Sequence, residues 1–216
     1  MTLRCYRCCA WPCVCADGCT IIHADCLDVL PTLNDSSVDA VITDPPFSAP
    51  VVSHMSSDAG HQRSWGDLAV MEPFFREVMR EMARVSPHGQ VYIHCDGETY
   101  PVFYRVAYSI WPQSHLLVWY NPTGRRGRGW MHAHELILHL RTPQTLYTDG
   151  FRQDVIGIMP VRTSKRFHPS QKPGELVEFL LEGVPPKTTI LDPFMGSGTT
   201  LRAAKDTGRR CAGIEV

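Results

Sequence analysis

The sequence has no apolar run that approaches the ~18 residues of a membrane-spanning helix. Its first residues, Met-Thr-Leu-Arg-Cys-Tyr-Arg-Cys, lack the apolar stretch of a signal peptide, so the expected location is the cytoplasm. There is no internal repeat and no Gly-Lys-Ser/Thr of a P-loop. With 216 residues, 44% of them apolar and 20% charged, the chain is expected to form one ordinary globular domain.

The chain also has little net charge, −1 in total, which by itself does not indicate a nucleic-acid binder. The distribution is uneven, because segment 121–172 holds nine basic and three acidic residues, a local +6 that leaves −7 for the rest. Such a segment can neutralise phosphates. An Arg-rich, solvated loop fits the same pattern equally well. The basic residues are Arg125, Arg126, Arg128, Arg141, Arg152, Arg162, Lys165, Arg166 and Lys172.

Six of the nine cysteines lie in the first nineteen residues, so they form a local cluster and not a chain-wide disulfide framework. The other three, Cys26, Cys95 and Cys211, have apolar neighbours and are predicted to be buried. Two interpretations fit the cluster in segment 1–19: free thiols, or a tetrahedral zinc site that stabilises a small appendage. The candidate zinc ligands are Cys5, Cys8, Cys13 and Cys15, with Cys9 and Cys19 left over.

Short apolar runs alternate with helical patterns after this segment, which predicts an α/β sheet with crossover helices. The predicted helices are Met71–Arg84, Gly174–Glu182 and Thr200–Thr207, the last ending at Gly208. Segments 48–67 and 143–173 have no periodicity and are predicted to be long loops. The predicted strands are Thr20–His23, Ala40–Thr43, Gln90–His94, Leu116–Tyr120, Leu136–Leu140, Thr189–Leu191 and Cys211–Ile214.

The first chemically informative segment is Val41-Ile-Thr-Asp-Pro-Pro-Phe47, a buried strand that runs into a rigid turn. Two prolines fix the backbone torsion φ and so hold the carbonyl between them in place. A carboxylate and a fixed carbonyl can together accept hydrogen bonds from the two N–H groups of an amine. An aromatic side chain can stack on a base that has left a nucleic-acid double helix. Alone, the motif fits a strand-ending turn with Phe47 in the core better.

The second informative segment, Ile190 to Thr200, reads as a strand, a Gly-rich turn and a helix start. Glycines let a ligand approach the backbone closely, and a helix N-terminus favours negative groups. Gly213-Ile-Glu215 then places a carboxylate after another apolar strand, an arrangement that can hold ribose hydroxyls. A Pro-rich loop, His168-Pro-Ser-Gln-Lys-Pro173, precedes a helix and indicates nothing alone.

In the order of these segments the chain resembles the beta group of DNA amino-methyltransferases, from about Thr20 to its last residue. The segments are Asp44-Pro-Pro-Phe, His168-Pro-Ser-Gln-Lys-Pro, Asp192-Pro-Phe-Met-Gly-Ser-Gly-Thr-Thr and Gly213-Ile-Glu. The resemblance implies a Rossmann-like methyltransferase fold, with a mostly parallel seven-stranded sheet in circularly permuted order. It implies one domain, 20–216, behind the Cys-rich segment 1–19, with 121–172 as the basic DNA-contacting region.

The resemblance also implies roles for individual residues. Asp44 and the carbonyl of Pro45 would accept from the target amine, with Pro46 completing the turn and Phe47 stacking on the base. Glu215 would bind the ribose hydroxyls of S-adenosylmethionine, and Lys172 would line the cofactor pocket. Asp25 and Cys26 would meet the adenine of the cofactor. The methionine part would contact Asp192, Phe194, Gly196, Ser197, Thr199 and Thr200.

In the family that the chain resembles, Asp at the first position of the tetrapeptide is commoner in adenine-N6 enzymes, so the resemblance favours a site-specific methyltransferase of adenine N6 in double-stranded DNA. The alternatives are a cytosine-N4 enzyme, a methyltransferase of RNA or of a glutamine amide, and a non-catalytic DNA-binding or cofactor-binding module. The resemblance adds a homodimer and a cognate restriction enzyme as candidate partners, and no membrane. It requires no metal for methyl transfer, so zinc would be structural only.

The chain departs from the family between the strand at Glu135 and the Lys172 loop. Relatives usually insert a sizeable DNA-reading segment there, whereas 142–167 supplies about 26 residues. A short or relaxed recognition site is therefore predicted, with phosphate contacts that carry little sequence information. Those contacts are assigned to Arg125, Arg126, Arg128, Arg162, Lys165 and Arg166. His132, His134 and Glu135 lack a further metal ligand at matching spacing, so they are predicted to be only a strand end.

Overall fold

The computed structural model describes residues 18–46, 68–125, 129–162, 164 and 171–216. For residues 68–70, 123 and 125 it describes the backbone only. The strands are β1 Cys19–His23, β2 Ala40–Thr43, β3 Gln90–Cys95, β4 Gln113–Arg125, β5 His132–Arg141, β6 Val155–Gly157, β7 Thr189–Asp192 and β8 Arg210–Glu215. The helices are α1 Cys26–Val29, α2 Leu68–Val85, α3 Tyr100–Tyr108, α4 Gly174–Leu181 and α5 Thr199–Asp206.

The eight strands form one sheet in the order β1-β8-β7-β2-β3-β5-β4-β6. All pairings are parallel except the two that involve β5. The mixed α/β class is therefore confirmed, but the described residues form eight strands where seven are predicted. The additional strand, β6, has only three residues, too few to show a period of two.

Two apolar cores cover the two faces of the sheet. One contains the buried side of α2, with Phe75, Val78 and Met82, against the strand residues Val41 and Ile93. The other contains α4 and α5 against Ile42 and Tyr92, among other strand residues. Strand β2 is buried on both faces, and its uninterrupted run Ala-Val-Ile-Thr is typical of a central parallel strand.

Several element boundaries differ from the expectation. Helix α2 begins at Leu68, before the predicted start at Met71, so Pro73 lies inside it. Cys19 begins β1, although it was counted with the N-terminal segment, and its sulfur lies 2.6 Å from that of Cys211. Helix α5 ends as predicted, with Gly208 in the left-handed conformation at φ 71°.

Cys26, Cys95 and Cys211 are all buried, which confirms their expected role as small apolar residues. Within the described ranges, no helix combines the length and the apolar character that a membrane crossing requires.

Candidate active site

The carboxyl ends of β1, β8, β7 and β2 lie side by side at one edge of the sheet, because these neighbours are all parallel. Ligands of open α/β sheets bind in the crevice outside such an edge. Asp25 follows β1, Glu215 ends β8, Asp192 ends β7 and Asp44 follows β2. The fold thus brings together four carboxylates that are far apart in the sequence.

The Gly-rich turn after β7 has an open face toward this edge. Gly196 and Gly198 have φ values of 51° and 75°, in the left-handed region that favours glycine. A Cβ atom added to either would meet no other atom within 4 Å, so packing inside the protein does not require glycine there. Ser197 and Thr199 share a hydroxyl–hydroxyl hydrogen bond of 3.0 Å in the same turn. The turn therefore fits a ligand that approaches the backbone closely.

Glu215 joins this turn to β8, because its carboxylate accepts a hydrogen bond of 2.7 Å from the N–H of Gly196. Its backbone carbonyl accepts from the N–H of Ala24 at 2.9 Å. The next residue, Asp25, caps helix α1 by accepting from the N–H of Leu27 at 2.9 Å. Cys26 is buried beneath this cap. The residues expected to meet the ribose and the adenine of a cofactor are thus neighbours in space.

Asp192 lies below the turn and is almost fully buried. One carboxylate oxygen accepts from the hydroxyl of Thr43 at 2.7 Å and from the N–H of Phe194 at 3.1 Å. Burial raises the pKa of Asp192 to about 7, against hydrogen bonds from Thr43 and Thr200 that lower it. Asp192 therefore ties β7 to β2 and changes its charge near neutral pH.

Phe194 and Lys172 complete the rim of the turn. The Phe194 ring packs against Phe74 and Phe75 of α2, with centroid distances of 6.1 and 6.2 Å. The carbonyl of Lys172 accepts a 3.4 Å hydrogen bond from the hydroxyl of Thr199, which links the loop before α4 to the start of α5.

Asp44 is held by a buried lysine. One carboxylate oxygen, Oδ2, lies 2.8 Å from Nζ of Lys172, which is also 2.9 Å from Oε2 of Glu135. Burial alone would lower the pKa of Lys172, but the two carboxylates outweigh it and the pKa is raised. The other oxygen of Asp44, Oδ1, is buried and has no hydrogen-bond partner in the described part of the chain. Among the described residues, this oxygen is thus a buried acceptor that lacks a donor.

The sequence analysis did not predict the ion pair of Glu135 or the burial of His94 beside it. Glu135 was interpreted as a strand end, yet its side chain pairs with Lys172. The sequence does carry a signal, since Glu135 has the same parity as Ile137, which faces the core of α4 and α5. His94 is fully buried, and burial lowers the pKa of its ring to about 3, so it is neutral.

Part of the expected site lies outside the described residues. Phe47, Arg126, Arg128, Lys165, Arg166 and the candidate zinc ligands Cys5, Cys8, Cys13 and Cys15 fall there. The side chain of Arg125 is likewise not described. Arg162 is described and exposed. Asp44, Pro45, Asp192, Glu215 and Lys172 lie at the edge described above.

The profile of the DNA methylase family N6_N4_Mtase matches residues 38–216. The chain is 25% identical to the type II methyltransferase M.HpaI of Haemophilus parainfluenzae over 231 aligned positions, which cover 91% of the chain. It is 24% identical to the type II methyltransferase M.HinfI of Haemophilus influenzae, again over 91% of the chain. The matches span 69% and 64% of the length of these two relatives.

Two solved structures share the fold. The PvuII DNA methyltransferase, described as cytosine-N4-specific, gives a TM-score of 0.73 at 16% identity, over 92% of this chain and 82% of that one. The complex of M1.HpyAVI with SAM gives a TM-score of 0.66 at 22% identity, over 91% and 92% of the two chains.

Proposed function

The chain belongs to the N6_N4_Mtase family of DNA methylases, and from this premise we propose that it methylates the N6 amine of adenine in double-stranded DNA. The observation that carries the proposal is the state of Asp44. Lys172 fixes one carboxylate oxygen, while the buried Oδ1 has no partner in the described part of the chain. An acceptor that is fixed and desolvated suits an amine hydrogen.

S-adenosylmethionine is the proposed methyl donor. The open turn at Gly196 and Gly198 would receive its methionine part, together with Asp192, Phe194, Ser197, Thr199 and Thr200. Glu215 would bind the ribose hydroxyls, with Asp25 and Cys26 beside the adenine. The Gly196 N–H bond to Glu215 supports this arrangement, since it orients the carboxylate at the mouth of the turn. When bound, the donor supplies an electrophilic methyl group on a sulfonium centre.

The amine nitrogen of the base would attack this methyl carbon. The new N–C bond would use the nitrogen lone pair, and the sulfonium sulfur of the donor would take the electrons of the C–S bond. Asp44 Oδ1 and the Pro45 carbonyl would accept the two amine hydrogens and so free the lone pair from the ring. The nitrogen would become positively charged, and its extra proton would then pass through Asp44 to water. Phe47 would stack on the flipped base.

Cytosine N4 is the second candidate acceptor, because the family profile covers both classes. Asp at position 44 favours adenine. Mass spectrometry of hydrolysed DNA separates the two products, and the same assay with RNA and protein substrates tests methylation of RNA or of a glutamine amide. A chain that fails to crosslink to labelled S-adenosylmethionine would instead be a non-catalytic binding module.

The decisive experiment sequences DNA from cells that express the chain, by a method sensitive to modified bases. We expect N6-methyladenine in a defined context, and none in cells that express the D44A variant at the same level. If DNA from cells with the wild-type chain and from cells with D44A carries the same methylated bases, the proposed function is wrong.

Double-stranded DNA would lie along region 121–172, with phosphate contacts from Arg125, Arg126, Arg128, Arg162, Lys165 and Arg166. We further propose that segment 1–19 forms a small unit beside domain 20–216, held by zinc on Cys5, Cys8, Cys13 and Cys15. About one zinc per chain in the purified protein, lost in a C5S/C8S variant, would support this. A homodimer and a cognate restriction enzyme also remain predictions, tested by sedimentation and by endonuclease assays.

A further inference from the structure

The side chains of Asp44, His94 and Glu135 come from three neighbouring strands and share one face of the sheet. Asp44 continues the parity of Ala40 and Ile42, which face α4 and α5. His94 and Glu135 share this face with Tyr92 and Ile137, in strands that pair through His94 and Ile137. Lys172 reaches the same place from the loop before α4. The four side chains therefore form one buried polar cluster, centred on the lysine.

The charge of this cluster is −1. Asp44 and Glu135 are carboxylates in contact with the ammonium of Lys172, and His94 is neutral because burial lowers its pKa. The side chains are only 24%, 16% and 11% exposed for Asp44, Glu135 and Lys172, so water screens the charges weakly. Asp192, the next carboxylate, interacts with Asp44 from β7.

A single ion pair of Lys172 with Asp44 would orient the carboxylate but would also cancel its charge. Cancellation would be costly for methyl transfer, because the amine nitrogen gains positive charge as the N–C bond forms, and a negative site stabilises that charge. The second carboxylate removes the conflict. With Glu135 present, Lys172 can hold Asp44 while the whole cluster stays negative.

We propose that Glu135 is a positioning residue for methyl transfer, which acts through Lys172 to hold Asp44 oriented and negatively charged. This inference rests on the proposed function. Glu135 does not itself contact the base or the methyl donor in this scheme. Its contribution is therefore expected in the rate of the chemical step, and not in the binding of either substrate.

The test compares E135Q, which keeps the shape of the side chain and removes its charge, with the wild-type chain. We expect kcat to fall about 10- to 100-fold, with the KM for S-adenosylmethionine and for DNA within about threefold. E135D keeps the charge and should recover kcat to within about tenfold of wild type. The matched control is E98Q, since Glu98 is exposed in the turn after β3. Thermal unfolding of all variants establishes that they are folded.

A second readout needs no substrate. An amine-reactive reagent labels only the neutral form of a lysine, so the pH at which Lys172 becomes labelled reports its pKa. Glu135 is one of the groups that raise this pKa. Labelling in unliganded E135Q should therefore move to lower pH, and labelling in E98Q should not move.

Two outcomes would overturn the inference: kcat of E135Q equal to that of E98Q, or a loss in E135Q explained by weaker binding of S-adenosylmethionine. Failure of the proposed function is distinguishable from both. In that case the wild-type chain itself leaves DNA unmethylated, and the role of Glu135 fails with it.

Discussion

Single residues at the sheet edge are defined by what burial does to their charge. Lys172 stays charged because two carboxylates compensate for its desolvation, whereas His94 has no comparable compensation and is neutral. Asp192 lies between these cases, since its hydrogen bonds only partly offset burial. Individual buried groups with shifted pKa values therefore determine how the stability of this protein depends on pH.

Replacing Asp192 with Asn should change how stability depends on pH. The folded protein holds a proton on Asp192 that the unfolded chain releases between pH 3.8 and about 7, so the free energy of unfolding falls as pH rises through this window. The D192N side chain cannot ionise and lacks this loss. The free energy of unfolding of D192N minus that of wild type should therefore be larger at about pH 8 than at about pH 5.

Urea unfolding at both pH values measures this difference. Comparison with wild type is essential, because His94 and His139 have pKa values lowered to about 3 by burial and act in the opposite direction. They stabilise the fold increasingly as pH rises from about 3 toward their ordinary value of 6.5. T43V is a second test, since removing the hydroxyl that donates to Asp192 should raise the Asp192 pKa further. The loss of stability should then extend to higher pH. If D192N and wild type differ in free energy of unfolding by the same amount at the two pH values, the prediction is wrong.

At the scale of elements, the sequence predicts most strands and the chemistry at their ends, but not the partners across the sheet. Val41 to Thr43 and Thr189 to Leu191 are recognisable because continuous burial leaves an apolar run. Helix α3 was not predicted, although its apolar residues Val102, Phe103, Val106 and Ala107 follow a helical period. The pairing of Glu135 with Lys172 depends on tertiary contacts, and no spacing in the sequence encodes it.

The turn between α2 and β3 gives a prediction on stability. A Cβ atom at Gly89 would lie 2.4 Å from the carbonyl oxygen of Asp39 and 2.0 Å from Oγ of Ser86. The carbonyl belongs to the backbone just before β2 and cannot turn away as a side chain would. We therefore expect G89A to lower the free energy of unfolding by about 3 kcal/mol, at the upper end for overpacking.

Chemical denaturation measures this effect, and G97A is the matched control. A Cβ atom at Gly97 would meet nothing within 4 Å, so this variant should unfold within about 0.5 kcal/mol of wild type. Similar losses in the two variants would show that the clash at Gly89 is relieved without cost.

The end of β4 and the start of β5 lie at the same edge of the sheet as Asp44. Strand β4 is parallel to β3, because both are antiparallel to β5, so β4 ends at the edge where β3 ends. Trp130 is 86% exposed just before β5, and it follows Arg125, Arg126 and Arg128 closely in the sequence. An exposed aromatic among basic residues suits stacking on a base of an opened duplex.

We expect W130A to weaken DNA binding by about 5- to 150-fold, the range given by about 1–3 kcal/mol of stacking. Fluorescence anisotropy with a labelled duplex measures it, and calorimetry should show unchanged binding of S-adenosylmethionine. Y108A is the control, since Tyr108 is also exposed but ends α3, just before β4 begins at the opposite edge of the sheet and outside region 121–172. Equal DNA affinity of W130A and wild type would exclude Trp130 from the interface.

At the scale of the whole molecule, the basic region is less free to bind DNA than its composition indicates. Lys172 is paired inside the site, Arg141 donates to the hydroxyl of Tyr147, and Arg152 donates to Thr148 and to the carbonyl of Glu182. Three of the nine cations counted in segment 121–172 are thus engaged within the fold. The remaining six are the residues assigned to phosphates.

The same region contains little chain that could read a DNA sequence. Strand β6 extends the sheet beside β4, the carbonyl of Asp154 accepts from the N–H of Val118 at 2.7 Å, and the N–H of Thr148 donates to the carbonyl of Gly183. Much of segment 142–157 is therefore bound to the methyltransferase core. Since phosphate contacts carry no sequence information, discrimination between sites depends on the few base contacts that remain.

We therefore expect a recognition site of fewer than about six base pairs, or a longer one with tolerated mismatches. The measurement is methylation of a duplex library with random bases around a central adenine, read by modification-sensitive sequencing. The D44A variant supplies the background, because it keeps the surface and lacks the proposed amine acceptor. Binding should also weaken steeply with salt, since arginine–phosphate contacts would supply most of the affinity. A strict requirement for six or more base pairs would contradict this prediction.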